Sequence, residues 1–198
     1  MDHAMADLHP EIETRLKLYH SLLLKWQKSL NLISPSTIED SWNRHFTDSA
    51  QLAKYISIKN PVIVDLGSGG GFPGMVLAIM VEGSFHLVES DNKKCIFLRE
   101  VSRETKTKTI IHNNRIENIS IPHIDYITSR ACASVSQLLS WSQNLVSHET
   151  RCLFLKGKNY SIEIDEANKE WHFDVDLHPS ITEKESAILE LSHIRRRE

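Results

Sequence analysis

Glycine is scarce in this 198-residue chain: there are seven, and five of them fall between Gly67 and Gly74. Cysteine is scarcer still. Cys95, Cys132 and Cys152 are odd in number and far apart, which excludes a disulfide framework, and each is expected to be a reduced, buried structural residue. Positive charge is not in excess, since 23 Lys and Arg stand against 26 Asp and Glu for a net −3. That balance excludes a surface coated for sequence-independent nucleic-acid binding but leaves room for a local basic patch. Long apolar runs are missing: "SLLLKW" and "MVLAIMV" are too short to cross a bilayer, and "MDHAMADLHPEIE" lacks the basic and apolar regions of an export signal. A cytoplasmic protein without a membrane partner is expected. The eleven histidines form no H-E-x-x-H or Cys/His quartet, so no metal site is expected.

What is present is ordinary globular composition, 40% apolar and 25% charged, enough for one α/β domain with an appendage. Ile12, Leu16, Tyr19, Leu23, Trp26 and Leu30 recur at steps of four and three, which predicts an amphipathic helix of about five turns. "SPST" interrupts it before a second helical stretch over 38–55. Residues 1–57 therefore read as a helical cap and 58–198 as the main domain. From Asn60 onward β-prone runs alternate with helical ones, among them a helix from Pro73 and one through Val135, Leu138, Leu139, Ser142, Leu145 and Val146. This predicts a doubly wound, mainly parallel α/β sheet, with "HFDVDLH" and "AILELSHIR" as an antiparallel hairpin at its edge. Ligands of such sheets sit beyond the carboxyl ends of the strands, so Asp65, Glu89, Arg115, Arg130 and Lys156 are placed to matter.

The glycines come directly after "VIVDL", and glycine after a strand tolerates positive φ and lets a ligand approach the backbone. Two readings compete. Gly69-x-Gly71-x-x-Gly74 fits the dinucleotide fingerprint, hence an NAD(P)-dependent oxidoreductase, although Pro73 has no N–H to offer a pyrophosphate and suits a first helical position. Gly67-x-Gly69-x-Gly71 after Asp65 resembles instead the first motif of S-adenosylmethionine-dependent methyltransferases, whose ligand carries no phosphate. Glu89, 24 residues after Asp65, then offers one carboxylate to two ribose hydroxyls.

The residues after the fourth strand constrain the acceptor. "SRACAS" lacks the Asp/Asn-Pro-Pro-aromatic stretch that goes with exocyclic-amine methylation, and Cys132 has no neighbouring proline or evident base, so it reads as a small core residue rather than a nucleophile. Guanine N7, already an unprotonated acceptor, needs no base.

From about Tyr19 to Lys158 the chain resembles the bacterial small-subunit ribosomal RNA guanine-N7 methyltransferases, the RsmG or GidB family. The resemblance lies in "YHSLLLKWQKSLNLIS", "RHFTDS", "DLGSGGGFPG", "ESDNKKCIFL", "NRIE", "SRACAS" and "LKGK". It implies a class I, Rossmann-like methyltransferase using S-adenosylmethionine on small-subunit ribosomal RNA or the assembled subunit, and we expect a monomer. Asp65, Gly67, Gly69, Phe72, Glu89, Ile116, Glu117 and Arg130 would hold the cofactor, with Ile116 and Glu117 beside the adenine. Arg115 and Arg130 would face the incoming base as catalytic residues, or pair with Glu89 or Asp65. Lys25, Lys28, Arg44, His45, Lys156 and Lys158 would form an RNA-facing rim. "HIRRRE" reads as a tail or as the end of the last strand. A non-catalytic RNA-binding assembly factor is the remaining alternative.

Overall fold

The computed structural model describes residue 5 and residues 8–198; residues 1–4, 6 and 7, part of the stretch read as lacking an export signal, lie outside the described residues. Seven strands build one sheet: β1 (Val62–Leu66), β2 (Ser84–Glu89), β3 (Ile110–Asn113), β4 (Tyr126–Arg130), β5 (Arg151–Lys156), β6 (Trp171–Pro179) and β7 (Ala187–Arg196). Their order is β3-β2-β1-β4-β5-β7-β6, parallel except for β7, which runs antiparallel to both β5 and β6. The expected edge hairpin is present, and its second strand is inserted beside β5. "HIRR" ends β7.

The helices are α1 (Pro10–Gln27), α2 (Asp48–Ala50), α3 (Gly74–Met80), α4 (Asn92–Glu104), α5 (Val135–Trp141) and α6 (Tyr160–Ala167). β1 shows why the central strands read as continuous apolar runs: both of its faces are covered. Val64 and Leu66 pack with Val135, Leu138 and Ile164 on one face, while Ile63 packs with Leu77 of α3 on the other. The α1 stripe of Leu16, Tyr19 and Leu23 joins Met75 of α3 and Phe97 and Leu98 of α4 in one cluster, so α1 is packed into the same layer as α3 and α4.

Three elements differ from the sequence reading. The stretch over 38–55 is not one helix but a π-helical turn (Trp42–Thr47), α2 and a 3-10 turn (Gln51–Tyr55). Trp42 stacks on Phe46 at 5.0 Å and Ser49 Oγ donates back to His45 O at 2.6 Å, which widens the turn where His45 must face inward. α5 stops at Trp141, where Ser142 Oγ donates to Leu138 O at 2.7 Å, leaving Leu145 and Val146 in the turn beyond. α6 has no counterpart in the reading, because Tyr160, Ile162 and Ile164 alternate as in a strand, and Ile162 is exposed.

The direction of winding reverses between β1 and β4. Connections leave their carboxyl ends toward opposite faces, which opens a crevice there.

Candidate functional site

The crevice is a cavity of about 560 Å3 above the ends of β1, β2 and β4. That volume suits a nucleoside-sized ligand. Its floor is the glycine turn, where Gly67, Gly69 and Gly71 have φ of 65°, 56° and 94°. Gly74 has ordinary helical backbone and is small for packing: a Cβ there would overlap Leu87 and the Asp65 side chain. Pro73 stands at the N-cap of α3, one position before the helix rather than at its first turn.

The turn's amides settle which ligand it suits. Ser68 N–H donates to Val88 O at 3.0 Å, and Gly71 and Phe72 N–H both donate to Ser68 O, at 2.7 and 3.2 Å. Gly69 N–H donates to Glu89 Oε2 at 2.9 Å, and Pro73 has no N–H. A pyrophosphate cradle needs such donors free. Here the Ser68, Gly69, Gly71 and Phe72 amides are consumed inside the turn, which counts against the NAD(P) reading.

Glu89 closes β2 and is nearly buried. Its Oε1 accepts from Asp91 N–H at 2.8 Å, so each oxygen takes one protein donor and keeps acceptor capacity toward the cavity it lines. Ile116 and Glu117, after β3, line the same cavity, as do Phe72, Arg115 and Arg130. Asp65 does not reach it. Fully buried under the turn, it accepts from Thr128 Oγ1 at 2.8 Å, and burial pushes its carboxyl up to about 6 against the pull of its hydrogen bonds. It supports the floor rather than touching a ligand, which corrects the expectation of a cofactor contact.

This buried position makes stability depend on pH. The Asp65 carboxyl ionises near 3.8 in the unfolded chain and near 6 in the fold, so the contribution of this group to stability is fully present below about 4 and is lost as pH rises through 6. The difference in unfolding free energy between wild type and Asp65→Asn, from urea titrations at pH 4 and pH 7, is expected to change by about 2 kcal/mol against the wild type. A pH-independent difference would contradict the buried, ionised carboxylate.

Arg130 ends β4 and does not pair with Glu89 or Asp65. Its Nη1 donates to Arg44 O at 2.9 Å, its Nη2 to His45 Nδ1 at 2.7 Å, and Asp48 lies 3.6 Å away. The guanidinium sits 5.1 Å from the centre of the Phe72 ring. Since Arg130 donates to Nδ1, His45 carries its proton on Nε2, which meets Thr37 Oγ1 at 2.8 Å; that hydroxyl in turn donates to Ser34 O. Burial and the Arg130 and Arg44 charges hold the imidazole down at about 3. His45 is thus a neutral internal strut rather than a rim residue contacting RNA, because both of its nitrogens have partners inside the protein.

The rim expectation is also corrected at Lys156, whose side chain is 5% exposed, donates to Ala133 O and pairs with Glu163 at 2.8 Å. Arg44 is half-buried and ion-paired with Glu183. Lys25 on α1, Lys28 at its C-cap and Lys158 after β5 are exposed, and none of them lines the cavity. Cys132, expected in the core, is an exposed residue of the cavity wall; partial burial of the thiol, with Asp65 and Glu89 nearby, raises its pKa.

Sequence reasoning missed Leu32, Ile33, Ser34, Lys94, Asn114 and Trp141, all of which line the cavity. The first two are fixed by Gln27, whose Oε1 accepts from Leu32 and Ile33 N–H at 2.9 and 3.0 Å and whose Nε2 donates to Ile33 O at 2.9 Å. This side chain also ends α1 before Leu30. A glutamine at the last helical position followed by an apolar pair is the signal that was available.

The model of the rRNA small subunit methyltransferase G family matches residues 12–191. The chain belongs to that family. It is 44% identical over 182 residues to the ribosomal RNA small subunit methyltransferase G of Paramagnetospirillum magneticum, covering 92% of this chain and 89% of the relative. The protein of the same name from Rickettsia felis is 42% identical over 190 residues, covering 96% of this chain and 98% of the relative. Among solved structures, the fold is similar to a ribosomal protein L11 methylase from Lactobacillus delbrueckii subsp. bulgaricus, with TM-score 0.61, 11% identity and coverage of 78% and 79% of the two chains. A SAM-dependent methyltransferase from Aquifex aeolicus gives TM-score 0.60 at 13% identity over 87% and 97%. At such identities these two establish the fold, a class I methyltransferase sheet, for a member of the family.

Proposed function

We propose that this chain transfers a methyl group from S-adenosylmethionine to N7 of a guanine in small-subunit ribosomal RNA. The residues fit that cofactor: the cavity has the volume, the turn makes no phosphate cradle, and Glu89 retains acceptor capacity for two hydroxyl donors. Glu89 would hold the ribose, Ile116 and Glu117 the adenine, and Gly67, Gly69 and Phe72 the amino-acid end. When bound, the cofactor supplies a methyl group activated on a sulfonium.

One observation carries the choice of acceptor, namely the condition of the imidazole and the thiol that line the cavity, His45 and Cys132. His45, near pKa 3 and bonded at both nitrogens, is no general base at neutral pH. The Cys132 thiol, raised above its ordinary value, stays protonated and offers no thiolate for attack on a pyrimidine ring. Guanine N7 brings its own lone pair and calls on neither of these two groups. The protein's task is then positioning and exclusion of water, with Arg130 and Phe72 forming the wall nearest the acceptor. The reading takes the enzyme as a cytoplasmic monomer; among the described residues no helix is long and apolar enough to cross a membrane.

The test uses small ribosomal subunits from cells lacking the protein, incubated with purified chain and methyl-labelled S-adenosylmethionine. Nucleoside mass spectrometry is expected to show one new 7-methylguanosine per particle. Label in another nucleoside, or none, would overturn the reading.

A further inference from the structure

A second cavity of about 430 Å3 adjoins the first, and the two share a wall of His45, Arg130, Ala131 and Cys132. Arg44, Arg130 and Lys156 line it together with Asp48, Glu163 and Glu183, so its formal charge cancels. A phosphate entering it would meet as many carboxylates as cations. An uncharged heterocycle with both donors and acceptors suits it better.

Most of that charge is already engaged. Asp48 Oδ1 accepts from Gln51 Nε2 at 2.8 Å and Thr182 Oγ1 at 2.6 Å, and Arg44 pairs with Glu183, whose side chain is nearly half exposed. Glu163, on α6, differs. Its Oε2 accepts from Lys156 Nζ at 2.8 Å and from Val135 N–H at 3.0 Å, and Lys156 is itself anchored on Ala133 O. Among the described residues no donor reaches Oε1. One oxygen therefore locks the carboxylate while the other is left as a fixed acceptor at a cavity wall.

We propose that this second cavity seats the methyl-accepting base and that Glu163 reads it as guanine, Oε1 accepting from the N1–H and N2–H2 edge. The proposal rests on the guanine-N7 reading above. In a purine, N7 lies across the ring system from N1 and N2, so a base with N7 toward the first cavity turns that edge into the second, which Glu163 lines and the first cavity does not share. Adenine has a lone pair at N1, which a carboxylate repels; the oxygen that holds guanine rejects adenine. Lys156 is a positioning residue here, holding the Glu163 carboxylate in place through its 2.8 Å contact.

The experiment compares wild type with Glu163→Gln on small subunits reconstituted with guanosine or adenosine at the methylated position, located first with the wild type. Single-turnover methyl transfer gives a guanosine-to-adenosine rate ratio for each protein. Glu163→Gln is expected to lower that ratio at least about tenfold. Its dissociation constant for S-adenosylhomocysteine, by calorimetry, should stay within about twofold, because Glu163 does not line the first cavity. Should that variant fail to fold, Glu163→Asp keeps the charge beside Lys156 while withdrawing Oε1, and a drop in the ratio of about threefold or more is expected. An unchanged ratio in a folded variant that still binds S-adenosylhomocysteine overturns the assignment of Glu163. Absence of 7-methylguanosine with wild type on guanosine subunits overturns the underlying reading, and this proposal with it.

Discussion

Gly71→Ala is expected to lose S-adenosylhomocysteine binding altogether and to cost about 4 kcal/mol of stability, the sum of a strained backbone and an overpacked core. Gly71 has φ of 94°, beyond the left-handed region that Asn or Asp tolerates, and an added Cβ would overlap Tyr19 Oη and lie 3.0 and 3.1 Å from Met75 and Leu98. Tyr19 has nowhere to retreat. Its hydroxyl donates to Gly70 O, and its ring is buried between Phe46 at 4.8 Å and Phe72 at 5.5 Å. Relief must come from lifting the turn, which moves Gly69 N–H away from Glu89. Gly69→Ala is the control: φ there is 56°, and a Cβ would have only Gly67 O nearby, at 3.8 Å. It should cost about 1–2 kcal/mol for the left-handed backbone and keep measurable affinity. Calorimetry and urea unfolding of the two variants side by side check the contrast, and equal behaviour would show that Tyr19 does not pin the turn.

Local rules made some of this site legible. The five clustered glycines and the acidic end of β2 announce a ligand turn because backbone conformation and strand length are set by neighbouring residues. The alternation of strand and helix foretold the sheet for the same reason, and it failed at α6, whose apolar residues alternate, and at the end of α5, where Ser142 closes the helix early. What stayed hidden depends on partners far away in the chain. A lysine in "LKGK" reads as exposed because its charge is costly to bury, and only Glu163 and the Ala133 carbonyl make burial of Lys156 tolerable. The contact of His45 with Arg130, 85 residues apart, leaves no periodicity to detect, and it decides whether His45 meets RNA or braces the site. Cys132 shows the converse, since the burial preference of its residue type gave way to a turn that opens onto the cavity.

Arg130→Lys should reduce single-turnover methyl transfer by roughly a hundredfold while leaving the dissociation constant for S-adenosylhomocysteine within about threefold. The planar guanidinium bonds Arg44 O and His45 Nδ1 through separate nitrogens while lying against Phe72, and so ties the π-helical turn of the cap to the end of β4. An ammonium has no plane to lay on the ring and a shorter reach, so it satisfies one acceptor at the expense of the other. The wall common to both cavities then shifts, whereas the turn and Glu89 are untouched. Arg130→Ala goes further: it leaves the His45 acceptor without its donor and Asp48 without its ion-pair partner at a poorly exposed position, and is expected to cost about 3 kcal/mol of stability as well. Stopped-flow methyl transfer, calorimetry and thermal melting on both variants separate positioning from folding. If lysine at this position lost affinity and rate together, Arg130 would be a ligand contact first, and the geometry of the shared wall would matter less than its charge.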